Sequence, residues 1–155
     1  MRIRDATAAD LDFIVESNRA LATESEGLAL DPGQVRPGVA AALADRSLGR
    51  YYIAEIDGRP AGQLMTTGEW SDWRNGLFVW IMSVYVIPAY RGIGVFRALY
   101  RHVEAEARAD AQICGIRLYV DHSNRRAQDV YSRLGMKQST YGIMQDVFRG
   151  PEAQA

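Results

Sequence analysis

A pair of glycines flanked by arginines is the stretch of this chain best suited to chemistry. Arg91-Gly92-Ile93-Gly94 follows an apolar run, and Arg97 comes three residues later. Glycines at the mouth of a helix leave the backbone bare, so unpaired N–H groups and the positive end of the helix dipole can face an anion. A guanidinium suits a bidentate phosphate contact. The spacing predicts a phosphate cradle, with a plain tight turn as the alternative.

The segment from Val84 to Gly94 resembles the central motif of the GNAT superfamily of N-acetyltransferases, and Asn124 to Met136 resembles the motif that follows it. Neither a P-loop nor a dinucleotide fingerprint fits the same glycines. The resemblance covers nearly all of the chain. It implies that the turn binds the pyrophosphate of acetyl-CoA and that the strand before it pairs with the pantetheine arm through backbone amides. The residues that it assigns to acetyl-CoA are Val84, Val86, Arg91, Gly92, Ile93, Gly94, Val95, Phe96, Arg97 and Asn124.

Phe96 departs from the family's pattern, which usually has Gly or Ala at this position. A bulky side chain here must point away from the pyrophosphate, because it would otherwise fill the anion's place. The backbone cradle itself needs no particular side chain at this residue.

Acetyl transfer to an amine needs a proton acceptor, because an amine with a pKa of about 10.4 is mostly protonated near neutral pH. Glu69 is the first candidate, since Trp70 and Trp73 could exclude water around it and raise its pKa. Asp72 is the second candidate. Two alternatives stay open: both carboxylates are solvated loop residues, or ordered water on the fourth strand takes the proton.

The same reaction needs a stabilised oxyanion and a proton for the departing thiolate. A backbone N–H near Val84 can stabilise the oxyanion without a special side chain. The resemblance places the general acid at Tyr131, whose helix position also fits a core residue. Asn124 fits either a helix cap or a contact with pantetheine.

Acidic and aromatic side chains predict a site for a small cationic amine. Carboxylates in the expected loop between the first two helices could attract an ammonium group, and tryptophan faces can hold a cation. A solvated acidic loop explains the same letters. The residues predicted to bind the acceptor are Glu24, Glu26, Asp31, Trp70, Asp72 and Trp73.

Composition predicts one globular domain over residues 1–149, followed by a disordered tail at 150–155. The chain has 155 residues, of which 48% are hydrophobic and 24% charged, enough for one sizeable core. A net charge of -1 gives no electrostatic reason to expect nucleic acid or an acidic membrane. The longest apolar run is too short to span a bilayer. The single cysteine favours a reducing, cytoplasmic setting, and no His or Cys spacing suggests a metal.

Apolar periodicity predicts an α/β fold with a mixed central sheet in the order β-α-α-β-β-β-α-β-α-β-β. The sheet should be antiparallel among its first strands and parallel where the central helix crosses over. The expected segments are Arg2 to Ala6, a helix capped by Thr7 and Asp10, a helix from Arg36 to Ala44, strands at Tyr51 to Ile56, Arg59 to Glu69 and Leu77 to Val86, the central helix, a strand at Gly115 to Val120, a last helix capped by Ser123 or Asn124, and two strands within Met136 to Phe148.

These expectations converge on an N-acetyltransferase that moves acetyl from acetyl-CoA directly to a primary amine in a ternary complex. A small-molecule acceptor is favoured over a protein. A noncatalytic acyl-CoA-binding domain is the rival, since the base is uncertain. Dimers are frequent among similar proteins, so a homodimer is compatible with the resemblance.

Overall fold

The computed structural model describes residues 1–149, so the tail predicted at 150–155 lies outside the described residues. The chain separates into two compact units, one of Met1–Leu118 and a second that begins at Tyr119. A single domain over 1–149 therefore stays a prediction. The elements in chain order are β1 Arg2–Asp5, α1 Leu11–Glu26, α2 Pro32–Ala44, β2 Arg50–Ile56, β3 Arg59–Ser71, β4 Gly76–Val86, α3 Val95–Ala109, β5 Ile113–Leu118 and α4 Arg125–Arg133, with short 3₁₀ turns at Ala8–Asp10 and Pro88–Tyr90.

The five strands form one mixed sheet in the order β1-β2-β3-β4-β5. The first four strands pair antiparallel, and β4 pairs parallel with β5 after the α3 crossover. A parallel pair needs such a long connection, whereas antiparallel neighbours can be joined by hairpins. The predicted α/β class and the predicted mixed sheet are both confirmed.

Helices cover both faces of the first unit's sheet. Because strand side chains alternate between faces, the adjacent Tyr51 and Tyr52 enter different layers. Tyr51 belongs to the core formed with α1 and α2, and the Tyr52 ring meets His102 of α3 at 5.4 Å. The apolar stripe of α3 is buried at Val95, Leu99, Tyr100, Val103 and Ala107. The turn that precedes α3 is thereby fixed against the sheet.

Asp10 anchors the start of the first helical segment, as the capping pattern of Thr7 and Asp10 predicts. The residue is only 6% exposed, and its carboxylate accepts two hydrogen bonds from the Arg4 guanidinium, each 2.8 Å long. It also accepts from the Thr7 backbone N–H at 2.8 Å. The Arg4 hydrogen bonds hold the pKa of Asp10 below its usual range. Arg4 further pairs with Glu55 of β2, which joins the helix start to the sheet.

The first helix runs further than the sequence suggests, so the expectation that Glu24 and Glu26 lie in a loop is wrong. Both are in the last turn of α1, which ends at Gly27 with a φ of 67°. Thr23 and Ser25 donate their hydroxyls to carbonyls four residues earlier, so these polar residues remain compatible with the helix. Glycine alone adopts the left-handed cap without a Cβ penalty.

The second helix begins at Pro32 rather than at the predicted Arg36. The Asp31 carboxylate accepts from the Gly33 N–H at 2.9 Å and caps the helix. Proline is well suited to a first helical position, because its missing N–H would have no partner there. Asp31-Pro32-Gly33 therefore starts the helix four residues before the predicted Arg36.

The two strands predicted within Met136 to Phe148 are wrong, since this part of the described chain has no strand. Tyr141, Ile143, Met144 and Phe148 are exposed, with Met144 at 99%. A strand alternation in the letters becomes a strand only when a neighbour supplies backbone partners and a covered face.

Candidate active site

Gly92 and Gly94 form an open cradle before α3. Their φ angles are 82° and 91°, a region that favours glycine, and a Cβ built at either residue would meet nothing within 4 Å. The Ala98 N–H makes the first helical bond, to the Gly94 carbonyl at 3.0 Å. The amides at the start of α3 therefore lie at the positive end of the helix dipole. This geometry fits an anion.

A pocket of about 410 Å³ opens at this cradle. The pocket is lined by Gly92, Ile93, Gly94, Arg97, Ala98 and Arg101. Arg97 was predicted to bind phosphate, whereas Arg101 was missed. The available signal was its position four residues after Arg97, which puts both cations on one helix face. Glycine amides and two guanidiniums together suit the phosphates of CoA.

Arg91 does not line this pocket, although the sequence pairs it with Arg97. Its Nε donates to the Val86 carbonyl at 2.8 Å, and its Nη2 donates to Glu24 at 2.7 Å. The guanidinium carbon also lies 5.4 Å from the centroid of the Tyr85 ring. Arg91 therefore ties the turn to β4 and to the end of α1.

Glu24, one of the residues predicted to bind the substrate amine, contacts the end of β4 and the turn that follows it. It accepts from the Tyr85 hydroxyl at 2.8 Å, in addition to Arg91. The Tyr85 hydrogen bond and then the Arg91 contact lower the pKa of Glu24, so its carboxylate is ionised near neutral pH. Glu26 is exposed at the end of α1, and Asp31 serves as a helix cap.

Strand β4 carries a bulge at Val84, the residue whose N–H is predicted to stabilise the oxyanion. Met82 pairs with Met65 and Tyr85 pairs with Gln63, so Ser83 and Val84 together oppose a single residue of β3. Ser83 adopts a φ of 49°. A bulge of this kind bends a strand and redirects its groups.

Gln63 supports the bulge from a fully buried position. Its amide NH₂ donates to the Ser83 carbonyl at 3.3 Å and to Asn18 Oδ1 at 2.7 Å. Asn18 in turn donates to the Tyr51 hydroxyl at 3.2 Å. Among the described residues, the buried Gln63 Oε1 has no hydrogen-bond partner. The bulge is thus held by a polar chain that crosses from α1 to β4.

Beyond the bulge, β4 has one edge paired with β3 and an opposite edge that the β4–β5 ladder does not reach. The β4–β5 ladder ends at the pair of Ile81 with Leu118. The Ile87 N–H donates to the Ala61 carbonyl of β3 at 3.0 Å. Because successive N–H groups alternate in direction along a regular strand, the Val86 N–H points to the opposite edge. This is the orientation that pairing with pantetheine requires.

Glu69 is engaged by residues that sequence reasoning missed. Its carboxylate accepts from Trp80 Nε1 and from Arg117 at 2.8 Å. Its register partner is Phe78, six residues before Val84 on β4. At about 3.3 Å per residue, Glu69 lies roughly 20 Å along the strand from the Val84 amide. A base at Glu69 would therefore reach the reacting amine only through water.

The predicted tryptophans do not enclose Glu69. The adjacent Trp70 points to the opposite face of β3 and is 59% exposed, and Trp73 is 86% exposed in the hairpin. Asp72 accepts from the Trp73 N–H at 2.9 Å. The tryptophan that contacts the Glu69 carboxylate is instead Trp80, and the Glu69 side chain remains 43% exposed.

The structure also separates the predicted acceptor residues into two groups. Trp70 pairs with Leu77, eight residues along β4 from the Tyr85 that contacts Glu24. The separation along the strand is about 26 Å. The hairpin tryptophans and Glu24 therefore do not form one amine cage.

The second unit carries the other two predicted residues. Asn124 Oδ1 accepts from the Ala127 N–H at 3.0 Å, which confirms a capping role at the start of α4. Tyr131 lies on α4, and burial raises the pKa of its phenol. A phenol with a raised pKa keeps its proton near neutral pH, as a proton donor must.

Two further properties concern residues 1–149. No three His, Cys, Asp or Glu side chains in this range are grouped to hold a metal ion. None of the helices there combines the length and apolar character needed to cross a membrane.

Comparison with known proteins identifies the class that this fold and cradle define. The sequence model of the acetyltransferase (GNAT) family matches residues 21–136. The chain belongs to this family of acyltransferases, which confirms the resemblance of its motifs.

The relatives agree with this assignment. The solved structure of a possible acetyltransferase from Clostridium difficile 630 has a TM-score of 0.90 and 39% identity, over 96% of this chain and 98% of that one. An uncharacterized N-acetyltransferase of Methanocaldococcus jannaschii is 36% identical over 56% of this chain, which spans about half (52%) of that relative. A predicted acetyltransferase from Clostridium acetobutylicum, solved with acetyl-CoA, shares the fold with a TM-score of 0.75 and 18% identity, over 94% of this chain and 95% of that one.

Proposed function

We propose that this chain transfers acetyl from acetyl-CoA to a primary amine of a small molecule, directly within a ternary complex. The observation that supports this most strongly is the glycine cradle of Gly92 and Gly94 beside the edge of β4 to which the Val86 N–H points. Backbone amides at a helix start suit a pyrophosphate, and strand amides suit an extended amide chain. Both features of acetyl-CoA thus find matching donors.

When bound, acetyl-CoA supplies an activated thioester, and the residues of the chain position it and handle the charges. The Val84 N–H, aimed by the bulge at Ser83, stabilises the oxyanion that forms during attack. The amides of Gly92 to Arg97, with the Arg97 side chain, hold the pyrophosphate. The backbone amides of Val95 and Phe96 take part in this contact. The Phe96 side chain is directed elsewhere, because its ring packs towards Tyr100, at 6.2 Å between centroids.

Tyr131 is the proposed proton donor to the thiolate, and its phenol, whose pKa burial raises, carries its proton near neutral pH. Asn124 uses its carbonyl oxygen as a cap, so its side-chain NH₂ group is the part proposed to contact pantetheine. These two roles come from the family motif, which residues 21–136 match.

For the acceptor, we propose that Glu24 attracts the ammonium form of the substrate amine. Its ionised carboxylate contacts Tyr85, the residue after Val84. Glu26 and Asp31 add negative charge nearby in the chain. The proposed base is Glu69 acting through water, with Asp72 as the alternative. Trp70 and Trp73 remain proposed acceptor contacts for a substrate long enough to reach the hairpin.

The test is thiol release from acetyl-CoA with a panel of small primary amines, compared with peptides that carry free amino groups. We expect turnover with at least one small amine and product acetylated at nitrogen by mass spectrometry. Turnover with peptides alone would replace this proposal by a protein N-acetyltransferase. Binding of CoA without turnover would indicate the noncatalytic acyl-CoA-binding alternative. That alternative is favoured by the ion pair of Glu69 with Arg117, because a base held by an arginine accepts a proton less readily.

Two finer parts of the proposal concern setting and assembly. A cytoplasmic location fits the use of acetyl-CoA and a single cysteine. A homodimer is tested by light scattering, where a monomer mass would contradict it.

A further inference from the structure

We infer that Arg101 binds the 3′-phosphate of CoA, so that this chain distinguishes CoA from dephospho-CoA. The inference rests on the proposed use of acetyl-CoA. Its starting point is the identity of the arginines that line the pocket: Arg97 and Arg101 line it, whereas Arg91 does not. Because Arg91 is held by Glu24 and the Val86 carbonyl, the pocket's positive charge lies along α3.

The spacing along α3 separates the roles of the two pocket cations. Arg97 is three residues from Gly94, and Arg101 is seven residues from it. At 1.5 Å per residue, Arg101 lies about 10 Å along the helix from the cradle. The two phosphates of a pyrophosphate share a bridging oxygen, so the cradle and Arg97 suffice for both. A cation one turn further along matches a third, separate phosphate, and CoA carries one on its ribose.

The direction of the Arg101 side chain agrees with this assignment. Its guanidinium donates to Glu104, three residues towards the end of α3, and therefore leans away from the cradle. The side chain is 53% exposed, so solvent and ligand can reach it. Arg101 lines the pocket while facing the end that a pyrophosphate at the cradle leaves open.

Glu104 has a second partner, which lets Arg101 exchange its contact. Arg108 donates to Glu104 Oε1 through Nε at 3.2 Å and through Nη2 at 3.0 Å. When Arg101 turns to a phosphate, Glu104 stays paired with Arg108. Arg108 also supplies a matched control, because it shares the same carboxylate but does not line the pocket.

The experiment is isothermal titration calorimetry of CoA and dephospho-CoA with the full chain and with three charge-removing variants. We expect Arg101→Gln to weaken CoA binding about tenfold, as for loss of one partly exposed charge-assisted contact. Its affinity for dephospho-CoA should equal that of the wild type. Arg108→Gln should change neither affinity, and Arg97→Gln should weaken both ligands alike.

Each other outcome overturns a defined step. Equal losses for both ligands in Arg101→Gln would assign Arg101 to the pyrophosphate, and a wild type without preference for CoA would remove the 3′-phosphate contact altogether. Either result leaves the proposed acetyltransferase intact. A wild type that binds neither ligand would overturn the proposed cofactor and the inference together. All three arginine side chains are at the surface of α3, and thermal unfolding checks that the variants remain folded.

Discussion

Gly94→Ala separates the backbone role of the cradle from its ligand role. Gly94 has a φ of 91°, where an L-residue costs about 1–2 kcal/mol. An added methyl would meet nothing within 4 Å in the protein and would stand in the open pocket. For a chain of this size, the backbone cost lowers the melting temperature by roughly 2–8 °C. A methyl that displaces phosphate from charge-assisted amide bonds of about 1.5–3 kcal/mol should weaken CoA binding about ten- to a hundredfold.

Gly58→Ala is the matched control for this substitution. Gly58 also has a positive φ, of 73°, and its added Cβ would likewise meet nothing within 4 Å. It lies in the β2–β3 hairpin and does not line the pocket. Calorimetric unfolding should show similar losses for both variants, while titration with CoA should show a loss for Gly94→Ala alone. Wild-type CoA affinity in Gly94→Ala would refute the cradle.

Three other substitutions test the chemistry and the fold. Tyr131→Phe should lower kcat about a hundredfold, as for loss of a general acid, with about 1 kcal/mol less stability; an unchanged kcat would make Tyr131 a packing residue. Glu69→Gln should lower activity most at low pH, where the amine is chiefly protonated, without altering CoA affinity; a wild-type pH profile would exclude this base. Asp10→Asn should cost about 2–3 kcal/mol in denaturant unfolding at pH 7, because Arg4 loses a buried charged partner. Since the folded pKa of Asp10 is lowered, its contribution is present above the unfolded pKa of about 3.9 and is lost as pH falls towards the folded value. The variant should therefore lose less stability than the wild type between pH 5 and pH 2, and equal losses would contradict this role.

The cradle could be read from the sequence because its signal is local. Glycines just before an apolar helix predict a turn with positive φ angles, and Gly92 and Gly94 both have positive φ. The mixed sheet followed in the same way, since the hairpin turns and the crossover helix fix the sense of neighbouring strands. Asn124 as a cap is another local feature, confirmed by its bond to Ala127.

Long-range partners were beyond the sequence. The sequence named Arg91 and not Arg101 for the phosphates, whereas in the structure Glu24, 67 residues away, pairs with Arg91 and Arg101 lines the pocket. Glu69 similarly meets Arg117 across 48 residues, a pairing that no spacing rule gives. The two predicted final strands are absent from the described residues for the same reason, because a strand forms only beside a pairing partner and the local sequence does not show whether one is present.

The most direct test of the central claim is a crystal structure of this chain with acetyl-CoA bound. The account predicts the pyrophosphate against the amides from Gly92 to Arg97, and the thioester oxygen within hydrogen-bond distance of the Val84 N–H. A pyrophosphate bound away from Gly92 and Gly94, with the open edge of β4 unused, would contradict it.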